Sequence, residues 1–389
     1  MRQRVDATTP ACSDEIPYVT RELEPIREKV LNGRRLSRED GLVLFQAQDV
    51  LGLGSLARWY ARRRHGPCVY YVVNGHINYS NYCTLACAFC SFYRRKGKDP
   101  RPGGFELSVD EVLHQADEIA RSGATEIHGV GALHPEFPFR YYVDLLRAIR
   151  QRHPRVGLKF FTAVEIYHIG KVGGLSPREA LLALQEAGLD TLPGGGAEIL
   201  DDGVRSVICA GKETSAEWLA LHRTAHQLGI RSNATMLYGH IETLAQRVDH
   251  MLRLRELQDD TGGFLAFVPL SYHPVNNVLK VEHGPGAIDE LRTHAIARLM
   301  LDNFAHVKAY WVTLTIPVAQ IALAYGASDF DGTVLQEKVH HMAGARSPQA
   351  LSVADLQRLI CEAGGEPVER DHLYRRIRRG GGALDWRVA

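Results

Sequence analysis

The sequence predicts an α/β protein whose main unit is a (β/α)8 TIM-type barrel, with a helical N-terminal preface and a C-terminal helical extension. Apolar, β-rich runs alternate with amphipathic stretches over most of the chain, a pattern typical of repeated βα units. Several amphipathic stretches end at a glycine, namely Gly123, Gly188 and Gly229, where a left-handed residue can close a helix. Glycines and polar residues also recur after the strands, where a barrel gathers its loops into one mouth.

Seven β-rich runs are predicted strands, and the stretches between them are predicted helices. Strands joined in this way form a parallel sheet with right-handed crossovers. An open, doubly wound sheet has the same local signals and is the alternative, but the glycine and polar clusters after nearly every strand favour the barrel. The predicted strands are 69–77, 125–131, 156–163, 189–192, 231–237, 263–268 and 307–314.

The segments outside the barrel are set by where the βα alternation begins and ends. Before it, Ser37 and Asp40 form a capping-box pattern at the start of a predicted helix. After it, further helical stretches are expected to pack on the barrel and help to cover its mouth. The predicted segments are a disordered leader (1–14), a helical N-terminal extension (15–67), the barrel (68–326) and a C-terminal extension (327–389).

Composition excludes several classes of partner. The 389 residues include 46 Lys and Arg against 45 Asp and Glu, a formal net charge of +1, so no overall field attracts nucleic acid or an anionic membrane. No apolar run approaches the ~20 residues that cross a bilayer, and the N-terminus lacks the pattern of a signal peptide. We expect a cytoplasmic protein with a small-molecule substrate.

Three of the seven cysteines, Cys83, Cys87 and Cys90, lie in one loop directly after a predicted strand. Three thiolates at this spacing can wrap one face of a [4Fe-4S] cluster and leave its fourth iron without a protein ligand. The alternative is a zinc site, which needs a fourth ligand such as His76 or His128. The remaining cysteines are widely scattered, so a secreted disulfide framework is not expected.

The C-x3-C-x2-C spacing, with an aromatic residue at Phe89, resembles the fingerprint of radical S-adenosylmethionine (SAM) enzymes. The resemblance implies that SAM binds the open iron of the cluster through its amino and carboxylate groups. It also implies an external electron donor such as flavodoxin or ferredoxin, because the sequence contains no second cluster motif.

Longer stretches of the chain resemble the aminofutalosine synthase family of menaquinone biosynthesis. The sister cyclic dehypoxanthine futalosine cyclase shares several of these motifs and is the alternative, as, more remotely, is a non-catalytic iron–sulfur or zinc protein. The stretches that carry the resemblance include EIHGVGALHPEFPFRYY, KFFTAVEI, AGLDTLPGGGAEI, SNATMLYGHIET, RVDHMLRLRELQDDTGGF and DGTVLQEKVHHMAGA.

This second resemblance implies a specific reaction. A synthase of this family joins the 5'-deoxyadenosyl radical of SAM to 3-[(1-carboxyvinyl)oxy]benzoate, a compound derived from chorismate. Loss of carbon dioxide then gives 6-amino-6-deoxyfutalosine. SAM is therefore a consumed co-substrate rather than a recycled cofactor.

Further candidate site residues lie at the predicted strand ends. Gly131 and Gly195 would let the backbone approach SAM closely, although a simple strand-end turn is the alternative. Glu165 and Glu198 could accept hydrogen bonds from the ribose hydroxyls, whereas a solvated carboxylate is the ordinary role of either. Phe89 belongs to the same cofactor-binding group through the fingerprint.

Other candidates are expected to contact the substrate or to line the barrel. Asn233 and Thr235 alternate along one predicted strand, so both side chains point to the same side, and a ligand could satisfy them. Thr235 is assigned to the cofactor and Asn233 to the substrate. His240 and His273 follow strands and could donate to a substrate carboxylate or exchange protons near neutral pH, but backbone carbonyls could equally satisfy them.

Overall fold

The computed structural model of this chain describes residues 16–380 and 383–385. The predicted leader, residues 1–14, lies outside the described residues. The predicted capping box is present, because the Ser37 hydroxyl accepts a hydrogen bond from Asp40 N and the Asp40 carboxylate accepts one from Ser37 N. The helical preface consists of α1 (Glu24–Leu31), α2 (Arg38–Gln46) and α3 (Val50–His65).

Several of the later helices carry clear local start and stop signals. Five of them begin at a Ser or Thr that forms a capping box with a Glu or Gln three residues later. Gly123, Gly188 and Gly229 all have positive φ angles, as expected for residues that close helices. None of the helices within the described ranges is long and apolar enough to cross a membrane. These helices are α4 (Val109–Arg121), α5 (Phe139–Arg152), α6 (Ala163–Gly173), α7 (Pro177–Ala187), α8 (Asp202–Ile208), α9 (Ser215–Gln227), α10 (Leu244–Thr261), α11 (Ala287–Met300), α12 (Trp311–Leu314), α13 (Ile316–Ala322), α14 (Val339–Met342) and α15 (Val353–Glu362).

The strands of the described residues are β1 (Cys68–Val72), β2 (Asn74–Ile77), β3 (Glu126–Gly129), β4 (Gly157–Phe160), β5 (Thr191–Leu192), β6 (Arg231–Tyr238), β7 (Phe264–Ser271), β8 (His306–Val307), β9 (Asp329–Gly332), β10 (Glu366–Arg370), β11 (Arg378–Gly380) and β12 (Ala383–Asp385). Strands β2 to β8 form a seven-stranded parallel sheet in chain order. Such an order, with helices between the strands, is that of a TIM-type barrel. The predicted fold class is confirmed.

Strand β9 and the residues that follow it, as far as Leu335, join the two edges of this curled sheet. On one side, Ala309 N donates to Asp329 O at 2.8 Å, just beyond β8. On the other side, His76 N, in β2, donates to Leu335 O at 2.7 Å. Residues from the expected C-terminal extension therefore occupy an eighth position between β8 and β2.

Two of the predicted strands are interrupted. The run 69–77 divides at Val73, so that β1 pairs with β9 and β10 while β2 pairs with β3. The run 307–314 leaves the sheet early and becomes α12. One cause is Trp311, whose indole N–H donates to Gly332 O at 2.9 Å and holds the chain against β9.

The residues after 326 form strands as well as helices. Helices α14 and α15 lie in this region, but β9 and β10 flank β1 in a separate three-stranded parallel sheet. The runs that form these strands are short, so their periodicity is a weak signal in the sequence. The C-terminal extension is thus joined to the barrel by backbone hydrogen bonds in addition to packing.

A buried charged network links this sheet to the barrel. The Lys159 ammonium, on β4, lies 2.5 Å from a Glu126 carboxylate oxygen on β3, and both side chains are only 1% exposed. Arg370, on β10, reaches the same carboxylate at 3.7 Å and pairs with Asp329 at 2.7 Å. Buried charges are tolerated only when paired in this way.

Candidate active site

A cavity of about 310 Å³ lies at the carboxyl ends of the barrel strands. This is the end at which barrel enzymes carry their active sites, and the volume suits a small molecule. Eleven of the twelve predicted site residues line the cavity, and His240 does not. The eleven are Cys83, Cys87, Phe89, Cys90, Gly131, Glu165, Gly195, Glu198, Asn233, Thr235 and His273.

The cysteine loop leaves β2 and is held in place by its backbone. Cys83 N donates to Arg94 O at 2.9 Å, and Ala88 N donates to Ile208 O at 2.8 Å. The Arg94 guanidinium donates to the carbonyl oxygens of Ser91 and Tyr93 at about 3 Å, which closes the far side of the loop. The three thiols are therefore presented to the cavity on a fixed backbone.

The donor set fits an iron–sulfur cluster better than a single metal ion. Cys83, Cys87 and Cys90 are all free thiols, and Leu85 N donates to the Cys83 sulfur at 3.4 Å, a contact typical of cluster ligands. Among the described residues, no three His, Cys, Asp or Glu side chains are already grouped as metal ligands. The C-x3-C-x2-C spacing, rather than the geometry, favours the cluster over zinc.

Lys212 supplies a positive charge beside these thiols. Burial lowers its pKa, but the Glu198 carboxylate and the neighbouring cysteines outweigh this effect and raise the pKa above the ordinary lysine value. The ammonium pairs with Glu198 and lies 5.3 Å from the centre of the Phe89 ring. This ion pair engages the Glu198 carboxylate, which was predicted to accept hydrogen bonds from the ribose of SAM.

The glycines at the strand ends are required by close contacts within the protein. A Cβ on Gly131 would lie 2.4 Å from the Tyr79 ring, and one on Gly195 would lie 3.0 Å from a Thr162 methyl. Gly194 has φ +82°, and a Cβ there would lie 2.1 Å from Asn233 O. Packing between the strand ends thus explains these glycines, in addition to any approach of a ligand.

Replacing Gly194 by Ala is expected to lower the free energy of unfolding by at least about 2 kcal/mol, because positive φ and a backbone clash act together. Urea unfolding measures this change. Gly33→Ala is the matched control, since Gly33 also has positive φ but no atom within 4 Å of its added Cβ. A Gly194→Ala cost no larger than that of Gly33→Ala would contradict the packing argument.

Both carboxylate oxygens of Glu165 already accept hydrogen bonds from the protein. One accepts from the Tyr79 hydroxyl and from Gly131 N at 2.9 Å, and the other accepts from the Thr162 backbone and hydroxyl at 2.7 Å. Burial raises the pKa of this carboxyl, and these hydrogen bonds partly offset the effect. Glu165 therefore caps α6 and fixes the end of β3 at the cavity wall.

Asn233, Thr235 and His273 differ in how fully the protein satisfies them. The Asn233 side-chain oxygen is buried and has no hydrogen-bond partner among the described residues, whereas Thr235 donates to Gly194 O at 2.9 Å. His273 donates from Nε2 to Thr313 O at 3.1 Å, and burial lowers its pKa. Of the three, Asn233 is the residue that most clearly needs a ligand.

His240 points away from the cavity, contrary to the prediction. Gly239 turns the chain with φ +86° directly before it. The His240 ring donates from Nε2 to Leu237 O at 3.1 Å and accepts from Ile241 N at 2.7 Å through Nδ1. A local turn thus satisfies both ring nitrogens, which is the alternative raised by the sequence.

Two family models match this chain, and the first of them includes the cysteine loop. Residues 77–254 match the model of the radical SAM superfamily, and residues 261–379 match that of the CofH/MqnC C-terminal region. The chain belongs to the radical SAM superfamily. Both matches together cover the barrel and most of the C-terminal extension.

This radical SAM enzyme is similar to curated relatives over almost its full length. It is 50% identical to the aminodeoxyfutalosine synthase of Thermus thermophilus, over 92% of this chain and 96% of the relative. It is 42% identical to the Streptomyces coelicolor protein of the same name, over 92% and 94% of the two chains. Identity to the cyclic dehypoxanthine futalosine synthase of S. coelicolor is 36%, over 92% and 89%.

Solved structures support the fold of the radical SAM enzyme. The hydrogenase maturase HydG from Carboxydothermus hydrogenoformans aligns with a TM-score of 0.71 over 91% of this chain and 80% of that chain, at 18% identity. Methylornithine synthase (PylB) aligns with a TM-score of 0.68 over 87% and 96% of the two chains, also at 18% identity. At this identity the likeness concerns the fold alone.

Several cavity residues of the radical SAM enzyme were missed by the sequence analysis. Lys308 and Tyr310 follow β8, and His340 lies on α14. Its neighbour His341 instead bonds to the Glu337 carboxylate at 2.8 Å. Only the positions of β8 and α14 reveal which side chains face the cavity.

Glu290 lies behind the cavity wall of the radical SAM enzyme. The Ser271 hydroxyl, which lines the cavity, donates to the Glu290 carboxylate at 2.7 Å. Burial raises the pKa of Glu290 to about 7, and the hydrogen bond from Ser271 opposes the shift. The folded protein therefore retains a proton that the unfolded chain releases near pH 4.

Because the pKa of Glu290 is raised on folding, its carboxylate destabilises the fold progressively as pH rises from about 4 to 7. Glu290→Gln removes that cost. We therefore expect the variant to gain stability over wild type as pH rises, and the difference between their free energies of unfolding to grow by about 2 kcal/mol between pH 5 and pH 8. Urea unfolding at both pH values tests this expectation, with Glu256→Gln on the exposed face of α10 as the control; a pH-independent difference would contradict it.

Proposed function

We propose that this radical SAM enzyme is an aminofutalosine synthase. It would join the 5'-deoxyadenosyl group of SAM to 3-[(1-carboxyvinyl)oxy]benzoate, with loss of carbon dioxide, to give 6-amino-6-deoxyfutalosine. The observation that carries the proposal is the 50% identity to the T. thermophilus aminodeoxyfutalosine synthase over 92% of the chain. The 36% identity to the sister cyclase makes cyclisation the second candidate.

In this proposal Cys83, Cys87 and Cys90 hold a [4Fe-4S] cluster whose remaining iron is open to SAM. When bound, the cluster supplies the electron that cleaves the carbon–sulfur bond of SAM. The three free thiols in one loop that lines the cavity and the N–H···S contact to Cys83 support this assignment.

The chain itself would bind and orient the two reactants. The unpaired oxygen of Asn233 can accept a hydrogen bond from the amino group or a ribose hydroxyl of SAM. Apolar cavity residues such as Leu237 and Leu270 would exclude water and shield a radical from side reactions. Correct positioning of the enol-ether carbon beside the adenosyl carbon is the main contribution expected from the protein.

The partners follow from the same proposal. The enzyme would act in the cytoplasm on a substrate derived from chorismate, and it would take its electron from a flavodoxin or ferredoxin. The near-zero net charge gives no reason to expect nucleic acid or a membrane as a partner.

Product analysis separates the candidate functions. Reconstituted, reduced enzyme is incubated without oxygen with SAM and 3-[(1-carboxyvinyl)oxy]benzoate, and the products are identified by mass spectrometry. The synthase predicts an adduct that retains adenine, formed in step with methionine. Stoichiometric release of free 5'-deoxyadenosine with turnover would indicate the cyclase type of chemistry instead. Failure to consume SAM would point to a non-catalytic iron–sulfur protein.

A further inference from the structure

The deeper part of the cavity carries a group of hydrogen-bonding rings. His76 lies within β2 and His128 opposite it within β3, and their rings stack with centres 4.4 Å apart. His340, on α14, meets the Tyr310 ring edge-on at 5.3 Å. All four residues line the cavity, and we call them the imidazole floor.

The imidazole floor has unused hydrogen-bonding capacity. The buried His76 Nε2 has no hydrogen-bond partner among the described residues, and the rings of His128, His340 and Tyr310 line the same cavity. Burial lowers the pKa of His76 and of His340, so both rings are neutral near pH 7 and each carries one N–H donor. Buried donors without partners are rare unless a ligand completes them.

Charged groups of both signs surround the floor. Lys308 lies against it and pairs with Asp331 at 2.5 Å, and both side chains are largely buried. Glu337 also lines the cavity and is held by His341 at 2.8 Å and by His340 N at 2.9 Å. An anion placed here would bind through Lys308 and the neutral ring donors, and these would have to outweigh the two carboxylates.

The histidine pair of the floor, His76 and His128, lies deeper in the barrel than the cysteine loop and Gly131, whereas Tyr310 follows β8 and His340 lies on α14. His76 and His128 are inside their strands, whereas the cysteine loop and Gly131 come after the ends of those strands. A substrate whose reactive group faces SAM would therefore direct its far end toward the floor. In 3-[(1-carboxyvinyl)oxy]benzoate the group farthest from the vinyl carbon is the ring carboxylate.

We propose that the imidazole floor, together with Lys308, binds the ring carboxylate of the substrate. This inference rests on the proposed function, because it takes the carboxyvinyloxy-benzoate as the substrate. A buried carboxylate needs several strong donors, and the floor offers three imidazole N–H groups and one phenol O–H. Recognition at this point would select aryl carboxylates over neutral aryl enol ethers.

The test compares ligands that differ by one carboxylate. Binding of three compounds to the holoenzyme with SAM, without reductant, is measured by calorimetry. They are 3-[(1-carboxyvinyl)oxy]benzoate, 2-phenoxyacrylate, which lacks the ring carboxylate, and 3-(vinyloxy)benzoate, which lacks the other one. The variants are His340→Gln and the milder Tyr310→Phe. His114→Gln, at an exposed position on α4, is the matched control.

We expect His340→Gln to weaken binding of both benzoates about tenfold and Tyr310→Phe to weaken it several-fold, with 2-phenoxyacrylate changing less than about twofold. His114→Gln should change none of these values.

Two outcomes would overturn the inference, and they differ from failure of the proposed function. If wild-type enzyme makes the adenine-containing adduct but the variants lose equal affinity for all three ligands, or none at all, the floor is not the carboxylate site. If wild-type enzyme cleaves SAM but neither binds nor converts the carboxyvinyloxy-benzoate, the proposed function itself fails.

Discussion

Replacing any one of Cys83, Cys87 and Cys90 by Ala is expected to lower anaerobic SAM cleavage by at least about 1000-fold, because loss of one thiolate disrupts the cluster. The measurement combines iron and sulfide content with the rate of methionine formation. The fold should survive, since the loop is also held by backbone hydrogen bonds such as Cys83 N to Arg94 O.

Cys361→Ala provides the control for this prediction. Cys361 is also a free thiol, but it lies exposed on α15 and outside the cavity. Its replacement should leave iron content and SAM cleavage unchanged. Full iron content and normal SAM cleavage in a Cys87→Ala variant would contradict the assignment of the three ligands.

The largest stability effect is expected from Lys159→Met. Lys159 and Glu126 are both 1% exposed, so removing the ammonium leaves a buried carboxylate whose remaining ion-pair partner, Arg370, is 3.7 Å away. Breaking a buried ion pair in this way costs about 3–5 kcal/mol. Urea unfolding should show that loss without any direct change to the cavity, because Lys159 does not line it.

Two comparisons isolate the buried charge as the cause. Adding Glu126→Leu to Lys159→Met should recover much of the lost stability, since the double variant no longer buries an unpaired carboxylate. Lys96→Met breaks a partly exposed pair with Glu106 and should cost less than about 1 kcal/mol. A double variant less stable than Lys159→Met would show that packing, rather than charge, explains the loss.

Local features of this fold could be predicted from the sequence because they depend on neighbouring residues. The capping box of Ser37 and Asp40 and the left-handed Gly188 are settled within a few positions of the chain. The cysteine loop is likewise a local motif. The order of parallel strands then follows from the βα alternation.

The remaining features depend on contacts between distant parts of the chain. The insertion of β9 between β8 and β2 depends on hydrogen bonds between residues more than two hundred positions apart, such as His76 N to Leu335 O. The pairing of Lys212 with Glu198 also lacks a local pattern. For His240, the deciding contacts are local instead. A turn satisfies both nitrogens of its ring, and the position of His240 after a strand did not reveal this turn.

The central claim is that three cysteines hold a [4Fe-4S] cluster whose fourth iron is free to bind SAM. Electron paramagnetic resonance of the reduced, oxygen-free enzyme, recorded before and after SAM is added, tests it most directly. We predict the signal of a reduced [4Fe-4S] cluster whose g values shift when SAM binds. A signal that SAM leaves unchanged, as expected for four protein ligands, or a protein that binds no iron, would contradict the claim.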